Sequence, residues 1–148
     1  MDWLWVLITV ARSASPAPAD HWASTLAVLD HDRAAAFARA DAELLDRVYV
    51  RGSQARAADA ATIADHRRRG ARIVGAELRI LSCRVLSVSG SRVRLDVVDR
   101  LASTQVIWTD GSTTALPQDE PSRRIVTLAS TAAGWRVTEV SPRPRSRR

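Results

Sequence analysis

"ADHRRRGARIVGAELRI", residues 64–80, is where the chain changes character. Upstream of Gly70 the apolar residues recur at helical spacing; downstream they alternate, the period of a strand with one buried face. Arg67, Arg68 and Arg69 stand in the last helical turn, where positive charge complements the carbonyl end of the helix, and Gly70 supplies a C-cap. Helical pattern gathered before this point and strand pattern gathered after it predict an α+β fold with the helices segregated toward the N-terminal side.

Working back from Gly70, "ADAATIADHRRRG" (58–70) reads as a third helix with Ile63 as its main apolar anchor, a weak face that suits a peripheral lid. Before it, Asp41 caps a shorter turn in which Leu44, Leu45 and Val48 are apolar. "VYVRGS" (48–53) then leaves it in extended form and ends at Gly52 and Ser53. The first helix takes Asp20 as its N-cap and keeps Trp22, Leu26, Leu29 and Phe37 largely to one face, with an alanine-rich second half that propagates well.

Working forward, "ARIVGAELRILSCRVLSVS" (71–89), "SRVRLDVVDRLASTQVIWT" (91–109), "RRIVTLAST" (123–131) and "WRVTEVS" (135–141) have strand composition. "SGS" at 89–91, "AAG" at 132–134 and the Asp110-Gly111 pair read as hairpin turns, and the proline-bounded "LPQDEP" (116–121) as a surface loop.

The chain of 148 residues suits one domain, long enough to bury roughly 70% of the surface its unfolded form exposes. A hydrophobic content of 46% against 26% charged residues excludes wholesale disorder. The net charge of +6 sits mostly in the final "SPRPRSRR", since residues 20–140 hold 17 arginines against 15 acids. All the basic residues are arginine, a skew that a high-GC genome produces, so the charge does not argue for specific nucleic-acid binding. The tail, 142–148, reads as a solvated, disordered terminus with at most a salt-screened attraction to anionic headgroups or polyphosphate. The single Cys83 cannot form an internal disulfide and reads as a small core residue.

The N-terminal "MDWLWVLITVARSASPAPAD" runs apolar from Trp3 to Ala11, too short to span a bilayer as a helix, then turns small and proline-rich. It fits the apolar part of a secretory signal with "APA" at 17–19 as the cleavage site, or the end of a longer membrane anchor, although Asp2 and Arg12 reverse the usual charge order. Two locations follow: exported or membrane-anchored outside the cytoplasm, or cytoplasmic with a structural N-terminus. The expected organisation is a signal-like or anchor segment at 1–19, an α+β domain at 20–141 and the basic tail.

Three N-terminal helices packed on a curved antiparallel sheet resemble the nuclear-transport-factor-2-like, or cystatin-like α+β cone, superfamily. "LDHDRAAAFARADAELLDRVYVRGS" (29–53), "RGARIVG" (69–75), "RVRLDVVDRL" (92–101) and "GWRVTEV" (134–140) look like small actinobacterial members of it. The resemblance covers about residues 22–140, and none of it is a catalytic signature. It implies a first helix closing the mouth of a cone, a cavity that holds a ligand, a substrate or only side chains, and pairing of two copies through exposed sheet faces.

Members related to ketosteroid isomerases use an acidic donor, in many of them a tyrosine on the first helix, and a carboxylate base on the opposite wall. The first helix here carries no tyrosine. Tyr49 lies one element later, where the resemblance implies an aromatic packed under the sheet, with its hydroxyl at the cavity rim bonded to backbone or water. Asp99 is the stronger candidate acid or base: period two places it on the face of Val93, Leu95, Val97 and Leu101, so a carboxylate points inward, where burial favours its neutral form unless an arginine pairs with it. Trp22 and Trp108 are candidates for a pocket mouth, with core packing as the commoner use of tryptophan. His21, His31 and His66 stand at no metal-ligand spacing, His31 and His66 on exposed helix positions, and neither a GxSxG elbow nor a phosphate-cradling glycine loop is present. No cofactor is implied. Two functions follow: a noncatalytic cone domain at the cell envelope that binds a small apolar ligand or a partner protein, or a small isomerase, dehydratase or cyclase with Asp99 as base.

Overall fold

The computed structural model of the chain describes residues 18–117 and 120–143; the apolar run at 3–11 and the arginines of the tail beyond Arg143 lie outside them. The first helix, α1 (Pro18–Arg39), opens two residues ahead of the expected Asp20 cap. Proline suits a first helical turn, because its fixed φ is already helical and the N–H it lacks would have no partner there. Trp22, Leu26, Leu29 and Phe37 are buried together on one face, as their spacing predicts, and Ala36 beside them is fully covered. Burying each large side chain stabilises the fold by roughly 1.5–3 kcal/mol.

Asp41 caps a short 3-10 helix, Ala42–Arg47, by accepting the Glu43 N–H at 3.0 Å. Leu45 and Val48 from this turn are fully buried under the sheet. The second α-helix, α2 (Gln54–Arg68), starts four residues before the expected Ala58, because Ser53 is a cap as well as a terminator: its Oγ accepts the Arg56 N–H at 3.2 Å. Arg67 and Arg68 close the helix, and Gly70, at φ +68°, turns the chain into the first strand.

The strands are β1 (Ala71–Val74), β2 (Leu78–Ser89), β3 (Arg92–Leu101), β4 (Gln105–Trp108), β5 (Thr113–Ala115), β6 (Ser122–Thr131) and β7 (Gly134–Pro142), all paired antiparallel. They divide into a four-stranded sheet, β2-β3-β6-β7, and a three-stranded sheet, β1-β4-β5. The long strand expected over 71–89 and its partner over 91–109 both break at the same level, and the bend there is the curve of the cone. Gly75 makes it possible: at φ +78° it lies so close to the segment joining β3 and β4 that a Cβ would stand 2.6 Å from the Ser103 carbonyl oxygen. Thr104 holds the other side, its hydroxyl donating to the carbonyls of Gly75 and Ala102. Register shifts at Ile80/Ser82 and Val85/Ser87 in β2, and at Thr138 of β7 opposite Thr127/Leu128, add further twist.

The three expected turns close the β2–β3, β4–β5 and β6–β7 hairpins. Beside β7, the segment at Tyr49 forms a short parallel pairing, with Val50 N–H donating to the Val137 carbonyl and Val137 N–H to the Val48 carbonyl. Cys83 is half-buried rather than enclosed, since β2 is an edge strand; burial there, with the Asp96 charge, pushes the thiol pKa up. Pro142, expected in the tail, belongs to β7, and Arg143 continues onto the sheet. Among the described residues no helix is long and apolar enough to cross a membrane.

Candidate functional site

Between α1, α2 and the inner face of the four-stranded sheet lies a partly open cavity of about 280 Å³. One wall is apolar: Leu26 and Leu29 from α1 face Val97, Val126, Val137 and Val140 from three strands. The other wall carries six ionisable side chains, Asp30, Arg33, Tyr49, Asp59, Asp99 and Arg124, drawn from five different elements. Ala58 lines the opening from α2 while remaining solvent-exposed.

Asp99 points into this cavity, as the alternation in β3 predicts, and its side chain is only 6% exposed. It is not free. Arg124 of β6 donates from Nε at 3.0 Å and from Nη2 at 2.6 Å to the same carboxylate oxygen. Charge pairing of this kind compensates the burial of both groups.

Tyr49 is buried, as the resemblance implies, but its partner is neither backbone nor water. The hydroxyl donates to Asp59 Oδ2 at 2.6 Å. Asp59 also receives two bonds from Arg33, Nε to Oδ2 at 2.6 Å and Nη2 to Oδ1 at 3.1 Å. Arg33 in turn rests over the Phe37 ring, with its guanidinium carbon 4.9 Å from the ring centre. Burial and the adjacent Asp59 charge push the Tyr49 pKa up, which keeps its proton in place at any ordinary pH. Burial opposes the Arg33 charge, but the Asp59 bonds outweigh it and hold the guanidinium charged. Helix α2 is therefore pinned across the cavity mouth by a polar triad rather than resting there as a loose lid.

Asp30 is different. Its Oδ2 accepts the Leu78 backbone N–H at 2.6 Å, while the approach of Arg33 Nη1 to Oδ1 is 3.9 Å, too long for a hydrogen bond. Burial raises its pKa to about 6, against the lowering effects of the Leu78 bond and of Arg33 and Arg124. A carboxyl group that titrates near neutrality inside a cavity can accept or donate a proton, or hold a cation.

Trp22 and Trp108 do not line the cavity. Trp22 packs edge-on against Trp135 in the core, ring centres 4.9 Å apart. Trp108 lies on the three-stranded sheet, one-third exposed, its indole N–H on Thr114 Oγ1 at 3.1 Å. His31 is exposed and 3.2 Å from Glu77, whereas His66, expected on the surface, is half-buried because its Nδ1 turns back to the Thr62 carbonyl oxygen at 2.7 Å. Among the described residues no group of three histidine, cysteine, aspartate or glutamate side chains is placed to hold a metal ion.

On the opposite face of β3, Asp96 is the hub of a separate cluster. Arg84, Arg123 and Arg143 all donate to it, at 3.0, 2.6 and 2.7 Å respectively. The arginine side chains themselves cover this carboxylate, which is why it is inaccessible on an outer face. The Arg123 hydrogen bond, with the nearby positive charges, brings its pKa down to about 2.

No protein-family model and no curated protein matches the chain. Among solved structures, the intermembrane-space region of the chloroplast protein ARC6 superposes with a TM-score of 0.56 at 17% identity, over 86% of this chain and 98% of that one. A protein from Catenulispora acidiphila, solved in complex with S-DNPA, gives 0.51 at 12% identity, over 82% and 92%. An NTF2-like protein with a cystatin-like fold from Novosphingobium aromaticivorans gives 0.45 at 19% identity, over 80% and 78%. At these identities the likeness to the first two is one of fold.

Proposed function

We propose that this chain, with its nuclear-transport-factor-2-like cone, is a ligand-holding domain that encloses a compact, largely apolar molecule with one polar end. The observation that carries this reading is the cavity itself: an apolar valine and leucine wall faces a wall of ionisable groups that, Asp30 apart, are already paired. Such two-sided sites bind by burial of the apolar part and orient by a few fixed polar atoms. The pairing of Tyr49 with Asp59 and of Asp99 with Arg124 supports a holding role, because both catalytic candidates drawn from the sequence are engaged with other side chains. Residues 3–19, apolar and then rich in small residues and proline, support export or tethering to the cell envelope, where cell fractionation would find the protein.

The test uses the exposed Ala58 at the opening. Ala58→Trp closes the mouth without disturbing the core. Wild-type and variant protein, purified from the same cells and extracted with organic solvent, should differ in one enriched compound on the wild type. Equal extracts from two folded proteins would refute ligand holding.

One observation favours a second reading, a proton-transfer enzyme of the isomerase, dehydratase or cyclase kind. It lies on Asp30 rather than on Asp99: Asp30 has a pKa of about 6, borders the cavity and has no direct side-chain hydrogen bond among the described residues. In that reading Asp30 is the general base, and Asp30→Asn abolishes turnover of the extracted compound while leaving its binding measurable.

A further inference from the structure

The cavity wall holds three carboxylates, Asp30, Asp59 and Asp99, and two guanidiniums, Arg33 and Arg124. Their geometry assigns partners. Arg33 chelates Asp59 with two bonds, and Arg124 places two bonds on Asp99. Each cation is thereby matched by one anion, and Asp30 is the carboxylate left over. Its direct bond is to a backbone N–H of β2, which orients it but carries no formal charge.

The groups that face Asp30 from each neighbouring element give the same result. Arg33 on its own helix is 3.9 Å away and committed to Asp59. From α2 comes Asp59, from the segment before it the neutral Tyr49 hydroxyl, from β2 the Leu78 N–H, from β3 Asp99 and from β6 Arg124. The chamber thus carries close to one uncompensated negative charge when Asp30 is ionised. A second recess of about 380 Å³ shares Arg33, Asp99 and Arg124 with the chamber and adds Arg123, but Arg123 is itself committed to Asp96 on the outer face.

Building on the ligand-holding reading, we propose that the cavity selects a small amphipathic amine, its apolar body against the valine wall and its ammonium group on the Asp30 carboxylate. An ammonium ion completes the charge balance of the chamber and donates to Oδ1, which has no donor within hydrogen-bond distance among the described residues. A carboxylate ligand would meet Asp30 as a like charge and find both guanidiniums engaged. A neutral alcohol would bury the same apolar area without the ion pair. Binding is linked to protonation, because the ammonium holds Asp30 in its ionised form. Affinity is therefore full about one unit or more above pH 6, the midpoint of the Asp30 titration, and falls as the carboxyl protonates through and below it.

The test compares benzylamine, benzyl alcohol and benzoate by isothermal titration on the full chain. At about pH 7.5 the amine should bind at least roughly tenfold more tightly than the alcohol, and that preference should shrink about tenfold by about pH 5. Asp30→Asn, which keeps an oxygen for the Leu78 N–H, should remove both the preference and its pH dependence. The pH series on the wild type needs no variant, so the test stands even where a substitution disturbs folding. Benzyl alcohol or benzoate binding as tightly as benzylamine would overturn the amine assignment and leave ligand holding intact. Binding of none of the three would count against both.

Discussion

Replacing Asp30 by asparagine should make the protein more stable at neutral pH, and by an amount that depends on pH in one direction only. The Asp30 pKa rises from its ordinary 3.8 to about 6 on folding, chiefly because the ionised carboxylate is taken out of water. A raised folded-state value means that the protonated form folds more favourably than the charged one. The contribution is complete below about pH 4 and is lost as pH rises through about 6. A displacement of that size corresponds to on the order of 3 kcal/mol, already net of the stabilising Leu78 N–H bond and the Arg33 attraction. Asparagine is neutral at every pH and can still accept that N–H. The variant should therefore match the wild type near pH 4 and exceed it by about 2–3 kcal/mol at about pH 7, a rise in Tm of roughly 5–15 °C. Urea unfolding followed by circular dichroism at half-unit pH steps reads the difference directly. A difference that stays flat from acid to neutral pH, or a variant less stable than wild type at neutrality, would refute the assignment of Asp30 as an under-compensated buried carboxylate.

The remaining predictions concern the groups around it. Tyr49→Phe deletes the donor to Asp59 but leaves the two Arg33 bonds, so chemical denaturation should show a loss of about 1–2 kcal/mol; no loss would mean that the hydroxyl does not anchor α2. Gly75→Ala forces a Cβ against the Ser103 carbonyl at a φ that alanine rarely adopts, and should cost at least ~2 kcal/mol in the same assay. A tolerated alanine would contradict the bend assigned to this position. Asp96 has a depressed pKa, so its contribution is present above about pH 4 and lost as pH falls toward about 2. The acid-unfolding curve of Asp96→Asn should lack that segment, and an unchanged curve would show that the three arginines do not stabilise the carboxylate.

Helix order, the three hairpins and the inward direction of Asp99 were all legible in the sequence, because each follows from local periodicity or turn chemistry. What the sequence concealed was pairing. Asp30 and Arg33 occupy the same helical face as Leu26, Leu29 and Phe37, so two charges interrupting an apolar stripe were the available signal for a polar cavity wall. Asp59 likewise precedes Ile63 by four residues on the inward face of α2, and Arg124 alternates with the buried Val126 and Leu128. None of these spacings says which acid meets which arginine. Partners such as Arg33 and Asp59, 26 residues apart, are fixed only when the cone closes. The tryptophans mislead for the converse reason: size and aromaticity suit a pocket mouth and a core equally well, and the packing of α1 on β7 decides for Trp22.

The central claim is that the cone is built to hold a small molecule, and a native mass spectrum of the protein purified from its own cells tests it most directly. Compared with the denatured mass of the same sample, the native species should carry a reproducible extra mass of roughly one to three hundred daltons that disappears on unfolding, as a small organic ligand in a cavity of this class would give. A bare protein mass, unchanged by denaturation and by added amine, would contradict the account.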